Sequence, residues 1–202
     1  MIARHRLKGT VRRVPALPLP DPPLTDGTIA LREKTEADVP ALVAALQDPL
    51  IPRYTRVPSP YGEREARQFL VDQRRRREEG IELSLLIVDA GSAALLGSVG
   101  ARVDRETARA EIGYWVAREA RRGGVASRAV VLLGGWLFEE LDLARLQIHT
   151  ETENVASQRV AETAGFTREG VLRSYELVEG RPIDVVMLSA LPGDLPEAIQ
   201  AD

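Results

Sequence analysis

The spacing of apolar residues changes period several times along the chain, and each change marks an element. Thr28-Ile-Ala-Leu-Arg-Glu33 alternates loosely and predicts a first strand. Thr35-Glu-Ala-Asp38 supplies an N-cap and an acidic first turn, after which Val39, Leu42, Val43 and Leu46 recur at helical spacing up to Asp48-Pro49. Pro49, Pro52, Pro58 and Pro60 then predict a loop without regular structure as far as Gly62. Ala66, Phe69, Leu70 and Gln73 share one stripe of a helix expected from Glu63 to Glu79, and Arg74 to Arg77 read as its solvated, dipole-complementing end.

Three β-rich runs follow, Leu83 to Asp89, Leu95 to Asp104 and Arg109 to Val116, and predict an antiparallel meander. Gly97 and Gly100 inside the second run imply a bulge or the close approach of another segment. Ala126 to Leu141 is apolar on nearly every face and predicts a buried helix. Gly134 and Gly135 in its middle cost about 1 kcal/mol each relative to Ala, which close packing on a sheet would offset. Arg145 to Thr150 is the next strand, parallel to Arg109 to Val116 if the helix crosses over right-handedly. Asn154 opens a helix that Gly165 ends, and Phe166 to Leu177 with Arg181 to Ala190 form a last pair of strands around Glu179-Gly180. The architecture is α/β (α+β) with a mixed, mostly antiparallel sheet.

Composition narrows the function. A chain of 202 residues suits one domain, and a net charge of -3 argues against a general nucleic-acid coat. The absence of cysteine excludes disulfides, thiolate metal sites and a cysteine nucleophile; with His5 and His149 as the only histidines, no metal is expected. No run approaches about 18 uninterrupted apolar residues, so a cytoplasmic protein without a membrane segment is expected. Pro15, Pro18, Pro20, Pro22 and Pro23 make residues 1–24 an extended arm, either a leader outside the fold or a strap over it, ahead of a domain over 25–195 and a tail over 196–202.

The chemistry converges on Arg118-Glu-Ala-Arg-Arg-Gly-Gly-Val-Ala-Ser127, a strand-to-helix turn. Arg121 to Ala126 fits R-x-x-G-x-A, whose glycines let backbone N–H groups form a nest running into a helix N-terminus, a natural seat for a pyrophosphate. A plain helix cap with a solvated charged face is the alternative. Together with Ala110-Glu-Ile-Gly-Tyr-Trp-Val116, Asn154 to Phe166, Glu169-Gly170 and Met187-Leu-Ser-Ala-Leu-Pro192, this turn resembles the GNAT acetyltransferases. Within them it is most similar to the branch that acetylates ribosomal-protein N-termini (RimJ/RimL-like).

The resemblance implies a six- to seven-stranded sheet with helices on both faces and its fourth and fifth strands splayed, here Arg109 to Val116 and Arg145 to Thr150. It implies acetyl-CoA as cosubstrate, with pantetheine in the opening against the backbone of Trp115 and Val116, and the pyrophosphate on Arg121, Arg122, Gly123, Gly124, Val125, Ala126 and Ser127. Asn154 would bond the pantetheine and Ser157 would donate to the departing thiolate, a role given to a tyrosine in many relatives; a simple N-cap is the plainer reading of Asn154. Glu111 is the candidate base, acting directly or through water, against an ion pair with Arg109 or Arg145; His149 is the other titratable candidate. The expected acceptor is a primary amine, a protein N-terminal α-amine foremost, without sequence-specific nucleic-acid binding, on a monomer or homodimer. A non-catalytic acyl-CoA-binding module and an acetyltransferase of a small-molecule amine are the competing readings.

Overall fold

A computed structural model describes residues 15–197 except Arg56 and Glu179. The basic residues Arg4 to Arg13 and the tail beyond residue 197 therefore lie outside the described residues. The elements run β1 (Leu24–Thr25), β2 (Ile29–Arg32), α1 (Val39–Ala45), α2 (Leu50–Tyr54), α3 (Glu63–Glu78), β3 (Glu82–Asp89), β4 (Leu95–Asp104), β5 (Arg109–Val116), α4 (Val125–Leu141), β6 (Arg145–Glu151), α5 (Val155–Thr163), β7 (Thr167–Val178) and β8 (Arg181–Ala190).

The strands form one eight-stranded sheet in the order β1-β2-β3-β4-β5-β6-β8-β7, antiparallel throughout except for the β5–β6 pair. The strand beyond the expected seven is β1, a two-residue pairing of Leu24 and Thr25 with β2. Helices α4 and α5 cover one face of the sheet, and α1 and α3 the other. Double coverage is why β3 reads as an apolar run: Leu83, Leu85 and Ile87 enter the main core beside Leu133 and Leu137 of α4, while Leu86 and Val88 pack with Leu42 of α1.

Four local features depart from the sequence expectations or sharpen them. The loop between Pro49 and Gly62 begins with a helical turn, α2, which buries Ile51 against Val39 and Tyr61. Residues 15–23 are a strap: Leu17 is fully buried, its N–H donates to the Arg77 carbonyl at 2.9 Å, and Arg77 Nη1 donates to the Leu17 carbonyl at 3.0 Å. Arg77 is thus a fastener, and Arg76 pairs with Glu82, so the arginine run is not simply a solvated end. The glycine pair of α4 divides: a Cβ on Gly134 would stand 2.7 Å from Leu195 Cδ1 and 3.1 Å from Leu146 Cδ1, whereas one on Gly135 would meet nothing within 4 Å.

The feature that creates a site is the junction of β5 and β6. These strands pair only at Arg109–Arg145, Ala110–Leu146 and Glu111–Gln147, then separate. Beyond Glu111, β5 remains paired with β4 on its other edge as far as Val116. A bulge at the start of β4 steers this end: the β3 register skips Leu96, whose carbonyl accepts the Ala117 N–H at 2.8 Å, and a Cβ on Gly97 would stand 2.3 Å from the Trp115 carbonyl oxygen. About half of the N–H and C=O groups of residues 112–116 therefore face an opening instead of a strand.

Candidate active site

The opening lies in a cleft of about 2020 Å³ that the sheet floors and α1, α2, α3, α5 and the β7–β8 hairpin wall. At one end is the turn before α4. Gly124 is its N-cap in the left-handed region, φ 73°, and Arg122 before it has φ 68°. No side chain caps this helix; Ser127 Oγ donates back to the Gly124 carbonyl at 2.9 Å, and Arg128 N–H is the first to find a helical acceptor, at 3.1 Å. The N–H groups of Val125, Ala126 and Ser127 are the unpaired donors of a helix start, and they line the cleft. The two arginines differ. Arg122 is exposed, whereas Arg121 donates from Nε to the Val116 carbonyl at 3.2 Å and brings Nη2 to 2.5 Å from Asp48 Oδ2, tying the turn to the loop before α2. The Leu50 N–H and the Arg121 guanidinium hold the Asp48 carboxyl below its usual range.

At the opening itself, three titratable groups from three strands meet. His149 of β6 has a side chain only 10% exposed, and its Nε2 is 2.9 Å from Glu176 Oε1 of β7. Its Nδ1 is buried without a hydrogen bond, 3.6 Å from Glu111 Oε2 of β5, and Tyr175 stands edge-on to the ring at 5.5 Å. In the neutral tautomer that donates Nε2–H to Glu176, Nδ1 and Glu111 are two acceptors facing each other, and the donor they lack is an N–H between them. The alternative pairings of Glu111 do not form: Arg145 makes a bidentate pair with Glu169, and Arg109 Nε donates to Thr107 Oγ1.

Across the opening, α5 is capped by Asn154, whose Oδ1 accepts the Ser157 N–H at 3.2 Å, and it closes on Gly165 and Phe166, whose N–H groups return to the carbonyls of Glu162 and Ala161. This holds Ser157 against Tyr114 of β5: Tyr114 Oη is 2.9 Å from Ser157 Oγ and 3.0 Å from the Ser157 carbonyl oxygen. Burial pushes the Tyr114 hydroxyl up to about 12, so it stays protonated and remains a donor.

The cleft thus brings together Glu111, Trp115, Val116, Arg121, Arg122, Gly124, Val125, Ala126, Ser127, Asn154 and Ser157, with exposed Gly123 in the same turn. Sequence reasoning missed Tyr114 and Glu176. Tyr114 lies 43 residues from Ser157, and Glu176 lies 27 from His149 in a strand with two register shifts.

A sheet edge parted beside an uncapped helix N-terminus offers backbone donors and acceptors suited to an anionic, amide-bearing ligand, with titratable side chains at its mouth. Comparison with known proteins makes this specific. Residues 28–167 match the family model described as "Acetyltransferase (GNAT) domain". The chain belongs to this family and is a GNAT N-acetyltransferase. It is 32% identical over 164 residues to the uncharacterized N-acetyltransferase p20 of Bacillus licheniformis, covering 81% of this chain and 92% of that one. Among solved structures it is similar to the ribosomal L7/L12 alpha-N-protein acetyltransferase RimL in complex with coenzyme A (TM-score 0.74, 25% identity, 84% of this chain and 96% of that one). Mycobacterium smegmatis RimJ shares the fold (TM-score 0.76, 23% identity, 88% and 90%).

Proposed function

We propose that this enzyme takes the acetyl group from acetyl-CoA and delivers it to the α-amine of a protein N-terminus. The observation that carries the reading is the placement, in one cleft, of an uncapped helix start, a parted strand pair and the Glu111–His149 acceptor pair. The similarity to RimL, a protein whose structure holds coenzyme A, supports both donor and acceptor. Gly123 to Ser127 receive the pyrophosphate on main-chain N–H groups, with Arg122 adding charge, and Arg121 braces the turn from behind. The β5 edge near Trp115 and Val116 takes the amides of the pantetheine, with Asn154 at the start of α5 as a further partner.

The reaction forms an N–C bond and breaks a C–S bond, so one proton must leave nitrogen and the sulfur must be stabilised as it departs. Glu111, with His149 Nδ1 opposite, accepts the proton; Glu176 fixes the imidazole. An α-amine with a pKa of roughly 7.7–8.0 needs only about 1 kcal/mol to deprotonate at neutral pH, against several for a lysine near 10.4, so this modest base matches an N-terminal acceptor. Ser157, held on the protonated Tyr114 hydroxyl, donates to the sulfur.

Calorimetric titration with acetyl-CoA, followed by mass spectrometry of peptides bearing free N-termini, tests the proposal. Micromolar binding, abolished by Gly124→Val, and a 42 Da gain on the α-amine are expected, the mass being that of an acetyl group replacing a proton (about 42 Da by atomic composition). Binding without transfer to any amine would mark a non-catalytic module, and transfer confined to small amines would move the acceptor away from proteins.

A further inference from the structure

Glu176 meets His149 although strand register sets the two far apart. His149 of β6 stands opposite Met187 of β8, and Glu176 of β7 stands opposite Ile183, four residues along that same strand. In an even sheet, four residues at about 3.4 Å and two strand spacings at about 4.8 Å would separate the two Cα atoms by about 17 Å. Two side chains reaching about 5 Å each, joined by a hydrogen bond, span at most about 13 Å. Yet Glu176 Oε1 is 2.9 Å from His149 Nε2. Between these rows β7 must therefore bend out of the plane of the sheet.

The register shows where. Leu172 pairs with Val185 and Glu176 with Ile183, so Arg173, Ser174 and Tyr175 stand against Asp184 alone. Three residues against one make a bulge, and a bulged strand bends. Ser174 carries the turn at φ 51°, in the left-handed region that a serine adopts at a cost. It has no partner in the β8 register, and its N–H donates to Asp184 Oδ1 at 2.8 Å. The chain leaving Ser174 goes straight to the imidazole: Tyr175 stands edge-on at 5.5 Å, and Glu176 meets Nε2.

Asp184 itself touches none of this chemistry. It is exposed, it does not line the cleft, and its main chain is held separately, its carbonyl accepting the Thr152 N–H at 3.3 Å. Val186 and Leu188, which alternate with it along β8, enter the main core with α4, so Asp184 belongs to the side of the sheet away from the cleft. Its Oδ1 is where the back of the sheet grips the bulge.

We infer that Asp184 is a positioning residue for the acetyl transfer: by holding the Ser174 N–H it fixes the bulge that bends β7 and sets Glu176 on His149. The effect on rate rests on the reaction proposed above; the placement of the imidazole does not. Without Oδ1 the Ser174 N–H turns to water, nothing holds its left-handed backbone, and relaxation of the bulge carries Glu176 away from the ring. The requirement is for an acceptor and not for a charge, so asparagine, which keeps an oxygen at the same place, substitutes.

The test compares Asp184→Ala, Asp184→Asn, Glu176→Ala and the double variant Asp184→Ala/Glu176→Ala, all in a His5→Gln background that leaves His149 as the single histidine. Long-range 15N–1H spectra of the neutral ring read its tautomer, and steady-state kinetics use acetyl-CoA with the peptide that the mass-spectrometric screen selects. The parent should hold the Nε2–H form. Asp184→Ala should give a mixture of tautomers, as Glu176→Ala does, and should lower kcat about tenfold with acetyl-CoA affinity and the acceptor KM within about threefold, the loss expected for a hydrogen bond to a charged group. Asp184→Asn should keep the parental spectrum and a kcat within about twofold, and in the Glu176→Ala background Asp184→Ala should cost less than about twofold more. A parental spectrum or a parental kcat in Asp184→Ala, an equal loss in Asp184→Asn, or an undiminished loss in the Glu176→Ala background overturns the positioning role and leaves the reaction standing. A parent that acetylates no peptide overturns the reaction, and the ring spectra then decide by themselves whether Asp184 places the imidazole.

Discussion

Replacing Lys34 by methionine should change how stability depends on pH, and the size of the change follows from the burial of one amine. Lys34 follows β2 and is 6% exposed, and its hydrogen bonds go to the neutral oxygens of Ser84 and Gln73. The carboxylates that favour its charge, Glu82 and Asp38, are themselves paired with Arg76 and Arg32. Burial wins and lowers its pKa from 10.5 to about 7. Between those values the unfolded chain holds a proton that the folded chain has released, so stability rises with pH across the window. This contribution is complete above 10.5 and is progressively lost as pH falls to 7. At about 1.4 kcal/mol per decade the full window is on the order of 5 kcal/mol, of which roughly 2–3 kcal/mol lies between pH 7 and 9. Methionine cannot titrate, and every other group is common to both proteins. Urea unfolding at pH 7, 8 and 9, followed by the fluorescence of Trp115 and Trp136, should show the parent gaining about 2–3 kcal/mol on Lys34→Met from the lowest pH to the highest. A difference constant to within about 0.5 kcal/mol would refute the reasoning, because an amine with a route to water would keep its ordinary pKa.

Three further outcomes are expected. Gly135→Ala should stabilise the protein by up to about 1 kcal/mol, because nothing crowds its Cβ, while Gly134→Ala should gain nothing or destabilise, because Leu195 and Leu146 must move; thermal melts compare the two. Glu111→Gln should lower kcat/KM by about 10²–10⁴-fold with acetyl-CoA affinity retained, whereas a merely structural carboxylate would affect the melting temperature and not the rate. Ser157→Ala should slow turnover by roughly ten- to a hundredfold, and Tyr114→Phe by a similar factor, with the double variant no worse than the worse single one if the two hydroxyls act as one donor.

Much of this protein can be read in one dimension. Periodicity located β2 through β6, α1 and α3 to α5 because burial imposes its period on the sequence, while the largely exposed β7 and its partner β8 were marked by the turn around Glu179-Gly180. The turn from Arg121 to Ser127 was legible for another reason: only glycine adopts a left-handed N-cap such as Gly124 without cost, so backbone geometry leaves a residue signature. The two-residue β1 and the five-residue α2 were not legible, since elements so short are held by their neighbours and not by a pattern of their own.

Tertiary structure decided which side chains meet. Glu111, His149 and Glu176 come from three strands whose relative positions depend on the parting of β5 and β6 and on two register shifts in β7, and a one-residue slip would turn any of them to the other face. The same holds for Tyr114 and Ser157, and for the place of Gly113 in the floor of the cleft. In the sequence Gly113 is one glycine among sixteen, and only the register that sets it between Gly100 and the opening shows that its missing side chain is open space. Local propensity determines where strands and helices form; what faces what across them depends on pairing between residues far apart in the chain, for which a single sequence carries no local signal.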